Sequence, residues 1–339
     1  MMRNNFARSC WPWLMAGLCS AAAPGWLVGG EQAVMKGYHR LGVLPLPGAG
    51  KGDFLAFDPV DRRLYVTHAD GVQVVDADAL KLLGTLSGTP HSHGVAAAEG
   101  LGKVYVSSGV PGSVVVFDQK TLKRLREVPS MPDTDVILFD QPSGRVFTFN
   151  GDSQDATVID ASTDKVLKTV DLGGGPEVAV SDGKGAIYGN IESTSELIRI
   201  NSRTLGIERR WPIAPGEAPS GLALDTANHR LFIGCRNKLL VVMDALSGKV
   251  LQSLPIGDHI DTTVYDPSTQ TVFNSCGDGT LSVIHQDDPD HYRVVENAVT
   301  EPGAKTMAFD PKTGRVFLST AYASDPAQPA AFHLLIMGQ

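Results

Sequence analysis

Short runs of alternating apolar and polar residues, separated by turn-forming residues, extend along most of this chain. In the clearest stretch four such runs follow one another: DFLAFD (53–58), RLYVTH (63–68), GVQVVDAD (71–78) and KLLGTLS (81–87). Alternation with a period of two residues, bounded by Asp, Pro and Gly, is typical of β-strands joined by tight turns. The pattern therefore predicts a unit of four consecutive strands, from an inner strand to an outer one.

The same unit recurs along the chain, each time with an aromatic residue early in its second strand. The copies of this aromatic are 40–44 residues apart and comprise Tyr65, Tyr105, Phe147, Tyr188, Phe232, Phe273 and Phe317. A period of about 40–45 residues with several strands per copy is the signature of a radial β-propeller. We therefore predict an all-β fold, a seven-bladed β-propeller with four-stranded blades.

The two ends of the repeat array are predicted to meet in one blade. The last copy stops at FHLLIM (332–337), which is its third strand, so its outer strand is missing. The segment GYHRLGVLPL (37–46) resembles HYRVVENAVT (291–300), the outer strand of the preceding copy. An N-terminal strand that completes the last blade closes the ring and removes an exposed edge. We expect one domain, residues 37–339.

The first residues have the pattern of a targeting segment. Arg3 and Arg8 precede or flank an apolar core, CWPWLMAGLCSAAA (10–23), which ends in small residues. This pattern predicts a signal peptide over residues 1–23 and export to a bacterial periplasm or secretion. The apolar stretch is shorter than the about 20 residues of a membrane span. We expect no membrane span after its removal, and a monomer.

The charge balance argues against a nucleic-acid partner. The net charge of the whole chain is −8, and loss of Arg3 and Arg8 with the signal peptide makes it −10 (−8 − 2). Proteins that bind phosphate backbones use clustered Lys and Arg side chains for most of their affinity, and this acidic chain has no such cluster.

The strand cores LYV and VYV, turns of the GxxxDxxT type and the repeat length together resemble the YVTN or YncE-like family of seven-bladed propellers. The resemblance covers nearly the whole predicted mature chain and implies the fold. That family includes binding modules, surface proteins and relatives of lactonases and cofactor dehydrogenases, so the resemblance does not determine the chemistry.

Alignment of the copies predicts which side chains line one mouth of the central channel, where propellers usually bind ligands. The register that lies five residues before the position equivalent to Asp58 contains Asp53, His93, Asp135, Pro176, Ser220, Asp261 and Lys305. The register two residues earlier contains His91, Asp133 and His259, and Glu177 and Glu217 lie within one or two positions of these registers. The ends of the second strands contribute His68, Cys235 and Cys276.

Three of these loops read HSH, DTD and HID and concentrate imidazoles and carboxylates on one face. On an extended chain, residues two apart point to the same side, so His91 and His93 are expected to face one centre. Nitrogen and oxygen donors converging from separate loops suit a divalent transition metal such as zinc or copper. The predicted metal-site residues are His91, His93, His259, Asp133, Asp135 and Asp261; a metal-free polar ligand site and a merely solvated mouth are the alternatives.

Cys235 and Cys276 are the cysteines that remain after the predicted signal peptide. They occupy equivalent positions in neighbouring blades, whose sheets pack about 10 Å apart, whereas a disulfide requires Cα atoms within about 7 Å. A buried small hydrophobic role is the leading interpretation for each, and a thiolate ligand for copper or zinc is the alternative.

These observations support three hypotheses for function. The first is an exported propeller that binds a metal ion or small polar ligand at the channel mouth. The second is a metal-dependent, lactonase-like hydrolase or lyase, in which the ion polarises a carbonyl or activates water and a histidine or carboxylate acts as the general base. The third is a protein-interaction scaffold.

Overall fold

The computed structural model describes residues 37–49, 52–322 and 330–339. These residues form seven four-stranded sheets of 28 antiparallel strands arranged in a ring, which confirms the predicted seven-bladed β-propeller. The predicted signal peptide lies outside the described residues. In the part of the chain that is described, no helix has the length and apolar character needed to cross a membrane.

The strands follow one another blade by blade. Blade one contains β2 (Gly52–Asp58), β3 (Arg63–His68), β4 (Gly71–Asp76) and β5 (Lys81–Ser87), and blade two contains β6 (Ser92–Ala98), β7 (Lys103–Ser108), β8 (Ser113–Asp118) and β9 (Arg124–Pro129). Blade three contains β10 (Thr134–Asp140), β11 (Arg145–Asn150), β12 (Asp155–Asp160) and β13 (Lys165–Asp171). Blade four contains β14 (Pro176–Ser181), β15 (Ala186–Ile191), β16 (Glu196–Asn201) and β17 (Ile207–Pro212), with a single 3-10 turn at Glu192–Thr194.

The remaining blades repeat this order. Blade five contains β18 (Pro219–Asp225), β19 (Arg230–Cys235), β20 (Leu239–Asp244) and β21 (Val250–Pro255), and blade six contains β22 (Ile260–Asp266), β23 (Thr271–Cys276), β24 (Thr280–Asp288) and β25 (His291–Val299). Blade seven contains β26 (Thr306–Asp310), β27 (Arg315–Tyr322), β28 (Ala331–Gly338) and, as its outer strand, β1 (His39–Ala49).

The N-terminal strand closes the ring as predicted. β1 pairs antiparallel with β28, with His39 opposite Gly338 and Leu44 opposite Leu334. Arg62 of blade one strengthens this junction, because its guanidinium bonds both carboxylate oxygens of the fully buried Asp310 in blade seven at 2.6 Å. The two ends of the chain are therefore held in one blade, which leaves no open edge between blades seven and one.

The core lies between neighbouring sheets. The repeated aromatics that revealed the period are all buried, from Tyr65 in blade one to Phe317 in blade seven. Each hydrophobic cluster joins two adjacent blades; one cluster, for example, packs Tyr105 of blade two against Val146 and Ile159 of blade three. Burial of an aromatic side chain removes a large apolar area from water, so one aromatic per repeat stabilises every interface around the ring.

The turn aspartates act as the sequence predicts. Asp58 Oδ1 accepts the backbone N–H groups of Val60 and Asp61, and Asp76 Oδ1 accepts those of Asp78 and Ala79. Such side-chain bonds replace backbone hydrogen bonds that a tight turn cannot form. These aspartates therefore have a structural role in the turns.

Candidate functional site

The inner strands carry a β-bulge just where they enter the channel mouth. In β2, Gly52 pairs with His68 and Leu55 pairs with Val66. Between these two pairs, β2 has two residues where β3 has one. The described parts of β6, β10, β14, β18 and β22 show an equivalent one-residue irregularity near the same end. A bulge bends the strand and redirects a side chain, and it commonly does so next to functional sites.

The residues at these bulges, with the equivalent residue of blade seven, form one ring, which we call the mouth ring. It comprises Asp53, His93, Asp135, Glu177, Ser220, Asp261 and Lys305. The sequence register had Pro176 in place of Glu177. Pro176 instead pairs with Ile191, as Thr134 pairs with Asn150 in blade three, and so lies one position earlier. The physical reason is that the following hairpin loop of blade four is one residue shorter than that of blade three.

Three members of the mouth ring meet in a compact group. His93 Nδ1 donates a hydrogen bond to Asp53 Oδ2 at 2.7 Å and lies 3.6 Å from Asp135 Oδ1. One donor atom from each residue lies within 4.8 Å of the other two. Asp135 Oδ1 is itself buried and accepts no hydrogen bond. The three side chains come from blades one, two and three, so only the closed ring brings them together.

Electrostatic crowding perturbs the protonation of this group. Burial alone would lower the pKa of His93, but the hydrogen bond to Asp53 and the negative charge of Asp135 outweigh it, so the His93 pKa is raised. Burial raises the pKa of Asp135 to about 7, opposed by His93 and reinforced by Asp53. A carboxyl group that titrates near neutrality and an adjacent imidazole are typical of a functional site rather than a solvated surface.

The opposite side of the mouth ring holds the remaining charges. Burial, with the nearby charges of Asp135 and Asp261, raises the pKa of Glu177 to about 8. Lys305 Nζ lies 2.9 Å from Asp261 Oδ2. Burial lowers the pKa of Lys305, but Asp261 raises it by more, so the lysine stays protonated. Burial also raises the pKa of Asp261, despite the lysine.

Two further residues border the ring and escaped the sequence predictions. Arg236 Nε lies 3.0 Å from Ser220 Oγ and 2.9 Å from Glu192 Oε1, and its Nη2 lies 3.4 Å from Glu177 Oε1. Arg236 and Glu192 each follow the last residue of a second strand, a position occupied by glycine in blades two, three and six. The sequence did contain a signal for Arg236 and Glu192: each is a charged residue at a repeat position where other blades have a small residue.

His91, Asp133 and His259, predicted as ligands together with the mouth ring, lie one layer further out. All three have left-handed backbone conformations, with φ of 50°, 57° and 57°. The chain is therefore not extended at His91, although His91 and His93 both line the same cavities at this face. His91 and His259 are exposed, and none of the three belongs to the Asp53–His93–Asp135 group.

The carbonyls of these residues have a structural role. The His91 carbonyl accepts the Gly109 N–H at 2.9 Å, and the His259 carbonyl accepts the Gly277 N–H at 2.9 Å. A side chain at Gly109 would lie 2.7 Å from His93 Nε2. The absence of a side chain at Gly109 therefore lets the His93 ring pack closely against the backbone of blade two.

The other predicted mouth residues lie elsewhere. His68 is buried and stacks on Phe332, with ring centroids 4.1 Å apart. Glu217 is exposed, with its backbone N–H bonded to Asn237. Cys235 and Cys276 are free, fully buried in two different hydrophobic clusters, and burial raises the pKa of each thiol to about 12. Neutral thiols within the blades do not supply ligands to the mouth, which agrees with the small-hydrophobe interpretation.

Comparison with known proteins identifies the fold. No protein-family description matches the sequence, and no curated protein resembles it in sequence. Among solved structures, the Kuenenia stuttgartiensis hydrazine synthase aligns with a TM-score of 0.76 at 12% identity, over 86% of this chain and 97% of that one. A chain of a mitotic checkpoint complex aligns with a TM-score of 0.75 at 15% identity, over 97% and 98%. A third, U3-55K, aligns with a TM-score of 0.76 at 7% identity, over 88% and 98%.

These neighbours support the seven-bladed propeller and nothing finer, because identities this low leave function undetermined. The YVTN or YncE-like family remains a resemblance. Any conclusion about chemistry therefore depends on the arrangement of the mouth ring. One imidazole and two carboxylates can bind a divalent cation through nitrogen and oxygen, and an imidazole bonded to a carboxylate can accept a proton.

Proposed function

We propose that this protein is an exported β-propeller that binds a divalent transition metal ion, zinc by preference, at the mouth ring. The ligands are Asp53, His93 and Asp135. Zinc is usually tetrahedral and takes His nitrogen and carboxylate oxygen ligands at about 2.0–2.2 Å, so two of its ligand atoms lie about 3.4 Å apart. The donor atoms of the three residues, all within 4.8 Å of one another, need only small side-chain rotations to reach such positions.

The observation that carries this proposal is the convergence of these donors around an unsatisfied carboxylate oxygen. Asp135 Oδ1 is buried without a hydrogen bond, and an unsatisfied buried polar atom is costly. A cation between Asp135 and Asp53 satisfies that oxygen and relieves the mutual repulsion that contributes to the raised pKa of Asp135. The absence of thiols from the mouth favours zinc over cuprous ion, which prefers sulfur.

Zinc binding by purified mature protein tests the proposal directly. After dialysis against zinc and then metal-free buffer, elemental analysis should find one zinc per chain in the wild type. His93→Ala and Asp53→Asn should weaken binding by about tenfold or more, since loss of a supporting group alone costs metal sites about 10–100-fold. Binding should also weaken as pH falls, because protons compete for His93.

The chain provides matched controls for this experiment. His91→Ala and His259→Ala remove imidazoles from the same face, two residues from the mouth ring, but outside the donor group. Both should retain zinc. The absence of zinc above the buffer level in the wild type, or equal loss from His91→Ala and His93→Ala, would contradict the assignment of ligands.

A hydrolase is the second candidate, favoured by the Asp53–His93 pair. The 2.7 Å bond at Nδ1 orients the imidazole, and His93 lines a surface cavity together with Gly109. In this function His93 takes a proton from water as the water attacks a lactone carbonyl. A panel of lactones assayed with and without zinc, in wild type and His93→Ala, separates the two functions: turnover lost in the variant supports the hydrolase, and no turnover in the wild type supports the binder.

Export and a scaffold role complete the proposal. Export relies on the signal pattern in residues 1–23, and intact mass of the protein recovered from a bacterial periplasm should show cleavage near residue 23. The propeller fold itself is a generic scaffold. Interaction through the blade faces becomes the preferred function if neither zinc nor a lactone substrate is bound and a purified partner forms a stable complex.

A further inference from the structure

A cavity, which we call the chamber, lies in the central channel below the mouth ring. It has a volume of ≈ 620 Å³ and is lined by inner-strand residues from all seven blades and by the prolines that follow three of these strands. Among the described residues that line it, none carries a charge; the wall is built mainly from Phe54, Val136, Val178, Val264 and Met307. Several of these apolar side chains are only half-buried although they lie on the innermost strands. A well-formed apolar cavity of this volume is a usual place for a small-molecule site.

The backbone of the wall is also shielded from the chamber. The bulges leave inner-strand backbone groups without ladder partners, and hydroxyls on the second strands bond them instead. Thr67 Oγ1 donates to the Phe54 carbonyl at 2.9 Å, the Gly94 N–H donates to Ser107 Oγ at 2.7 Å, and Ser275 Oγ donates to the Thr262 carbonyl at 3.4 Å. These bonds satisfy polar groups that would otherwise require water or a polar ligand.

Phe54 lines the chamber and directly follows Asp53 of the mouth ring. Its side chain packs against the hydrophobic cluster of blades three and four, which includes Val136 and Ala179. The phenyl group of blade one therefore reaches two blades that are not its neighbours. The chamber and the proposed zinc site have no residue in common.

The opposite end of the chamber has an uneven rim of aromatic and proline residues. Phe57 and Pro59 in blade one, Tyr265 and Pro267 in blade six, and Phe309 and Pro311 in blade seven all line it. The prolines are exposed, so the chamber opens on this face. Blades two to five have neither an aromatic–Asp–Pro sequence nor proline at the equivalent positions. The asymmetry concentrates flat apolar surfaces on three adjacent blades, and flat apolar surfaces favour stacking of a ring.

From these features we infer that the chamber binds an uncharged organic molecule with an aromatic or alicyclic ring, which enters from the aromatic–proline rim. A charged ligand is excluded because the wall offers no counter-charge to offset its desolvation. The volume is about four times that of the ~150 Å³ apolar cavity that holds benzene, and lies in the ≈ 300–1,000 Å³ range of small-molecule pockets. This inference does not rest on the proposed zinc site.

Fluorescence titration with N-phenyl-1-naphthylamine, an uncharged dye that brightens in apolar surroundings, tests the inference in the wild-type protein. One saturable site should appear, and it should be the same with zinc or with EDTA. At pH 7, 1-naphthol should displace the dye, whereas 1-naphthoate, of similar size but charged, should be at least about tenfold weaker because its carboxylate loses hydration without compensation.

Filling the chamber supplies the second arm. Val264→Trp and Val178→Trp each place an indole in the wall, and each should weaken dye binding by about tenfold or more; the control Leu246→Ala changes a 62% exposed residue in an outer turn and should bind like the wild type. Near-UV circular dichroism identifies a variant that misfolds, and the naphthol and naphthoate comparison needs no variant. The inference is overturned by the absence of saturable binding in the wild type, by equal displacement with naphthoate, or by unchanged binding in both folded tryptophan variants.

Discussion

Replacing Glu177 by glutamine should make the propeller more stable in alkaline solution and leave it almost unchanged in acid. Glu177 lies in the mouth ring with its side chain 13% exposed, and it shares that space with Asp135 and Asp261. Glutamine keeps the size and an acceptor oxygen for Arg236 and Ser220, which approach Glu177 at 3.4 Å each. The substitution therefore removes a charge with little change in packing.

The magnitude follows from the pKa of Glu177, which burial raises from 4.5 to about 8. Below the unfolded pKa of 4.5 the group is protonated in both states and costs nothing. As pH rises toward 8 the unfolded chain ionises while the folded protein holds its proton, so stability falls. Above pH 8 the loss is complete, and the shift corresponds to about 5 kcal/mol at about 1.4 kcal/mol per pKa unit.

Urea unfolding at pH 5, 7 and 9 measures this effect. Since part of the shift will be relieved by structural relaxation, we expect Glu177→Gln to gain about 2–5 kcal/mol over the wild type at pH 9 and under about 1 kcal/mol at pH 5. Glu217→Gln is the matched control, because it removes the same charge from the same face at an exposed position.

Equal effects of Glu177→Gln at pH 5 and pH 9 would refute the reasoning, since an uncharged change in packing has no such pH dependence. A destabilised variant at pH 9 would do the same and would show that the Arg236 contact outweighs the burial of charge. Glu217→Gln should stay within about 0.5 kcal/mol of the wild type throughout, as expected for a surface substitution.

Three further predictions concern stability and reactivity. Lys305→Met leaves the 4% exposed Asp261 without its cation and should cost about 3 kcal/mol at pH 8. The cost should fall in acid, because burial raises the pKa of Asp261 and protonation removes the uncompensated charge; similar losses at pH 8 and pH 4 by urea unfolding would be inconsistent with this. Arg62→Met removes the hydrogen bonds that help to lower the pKa of Asp310 to about 2, and it should lower the thermal midpoint by the equivalent of about 2–3 kcal/mol. The control is Arg40→Met, which removes the 57% exposed partner of an ion pair with Glu301 and should cost under about 1 kcal/mol. The thiols of Cys235 and Cys276, held neutral by burial, should react with iodoacetamide at pH 8 only after unfolding. Fast alkylation of these two cysteines in the native protein, seen by mass spectrometry, would argue against their burial.

The positions of the mouth ring could be predicted from the sequence because the ring is a property of the repeat. Asp53, His93 and Asp135 follow from aligning the copies without gaps and counting back from the position equivalent to Asp58, and the structure brings these three together. Counting fails at Glu177 because it assumes loops of equal length, and blade four has a hairpin loop shorter by one residue. A one-residue slip on a strand exchanges the two faces. The count therefore selected Pro176, which is on the other face of the strand from Glu177.

Counting also fails to separate His93 from His91. Both belong to one HSH loop, and a pattern of residue types contains no backbone angles. His91 takes a positive φ, which non-glycine residues adopt uncommonly, so the alternation expected of an extended strand ends at that residue. The same reversal at His259 removes a third predicted imidazole from the donor group.

What the sequence by itself determined is the class of fold, the number of blades and the closure by the N-terminal strand. Those properties depend on period, alternation and strand count, which are local and repeated, so one irregular copy does not obscure them. Tertiary structure alone decided which charged groups meet, that Phe54 of blade one packs against blades three and four beside an apolar chamber, and that the cysteines lie within the blades. Those features depend on single side chains from blades far apart in the chain, and their spacing is set only when the ring closes and packs.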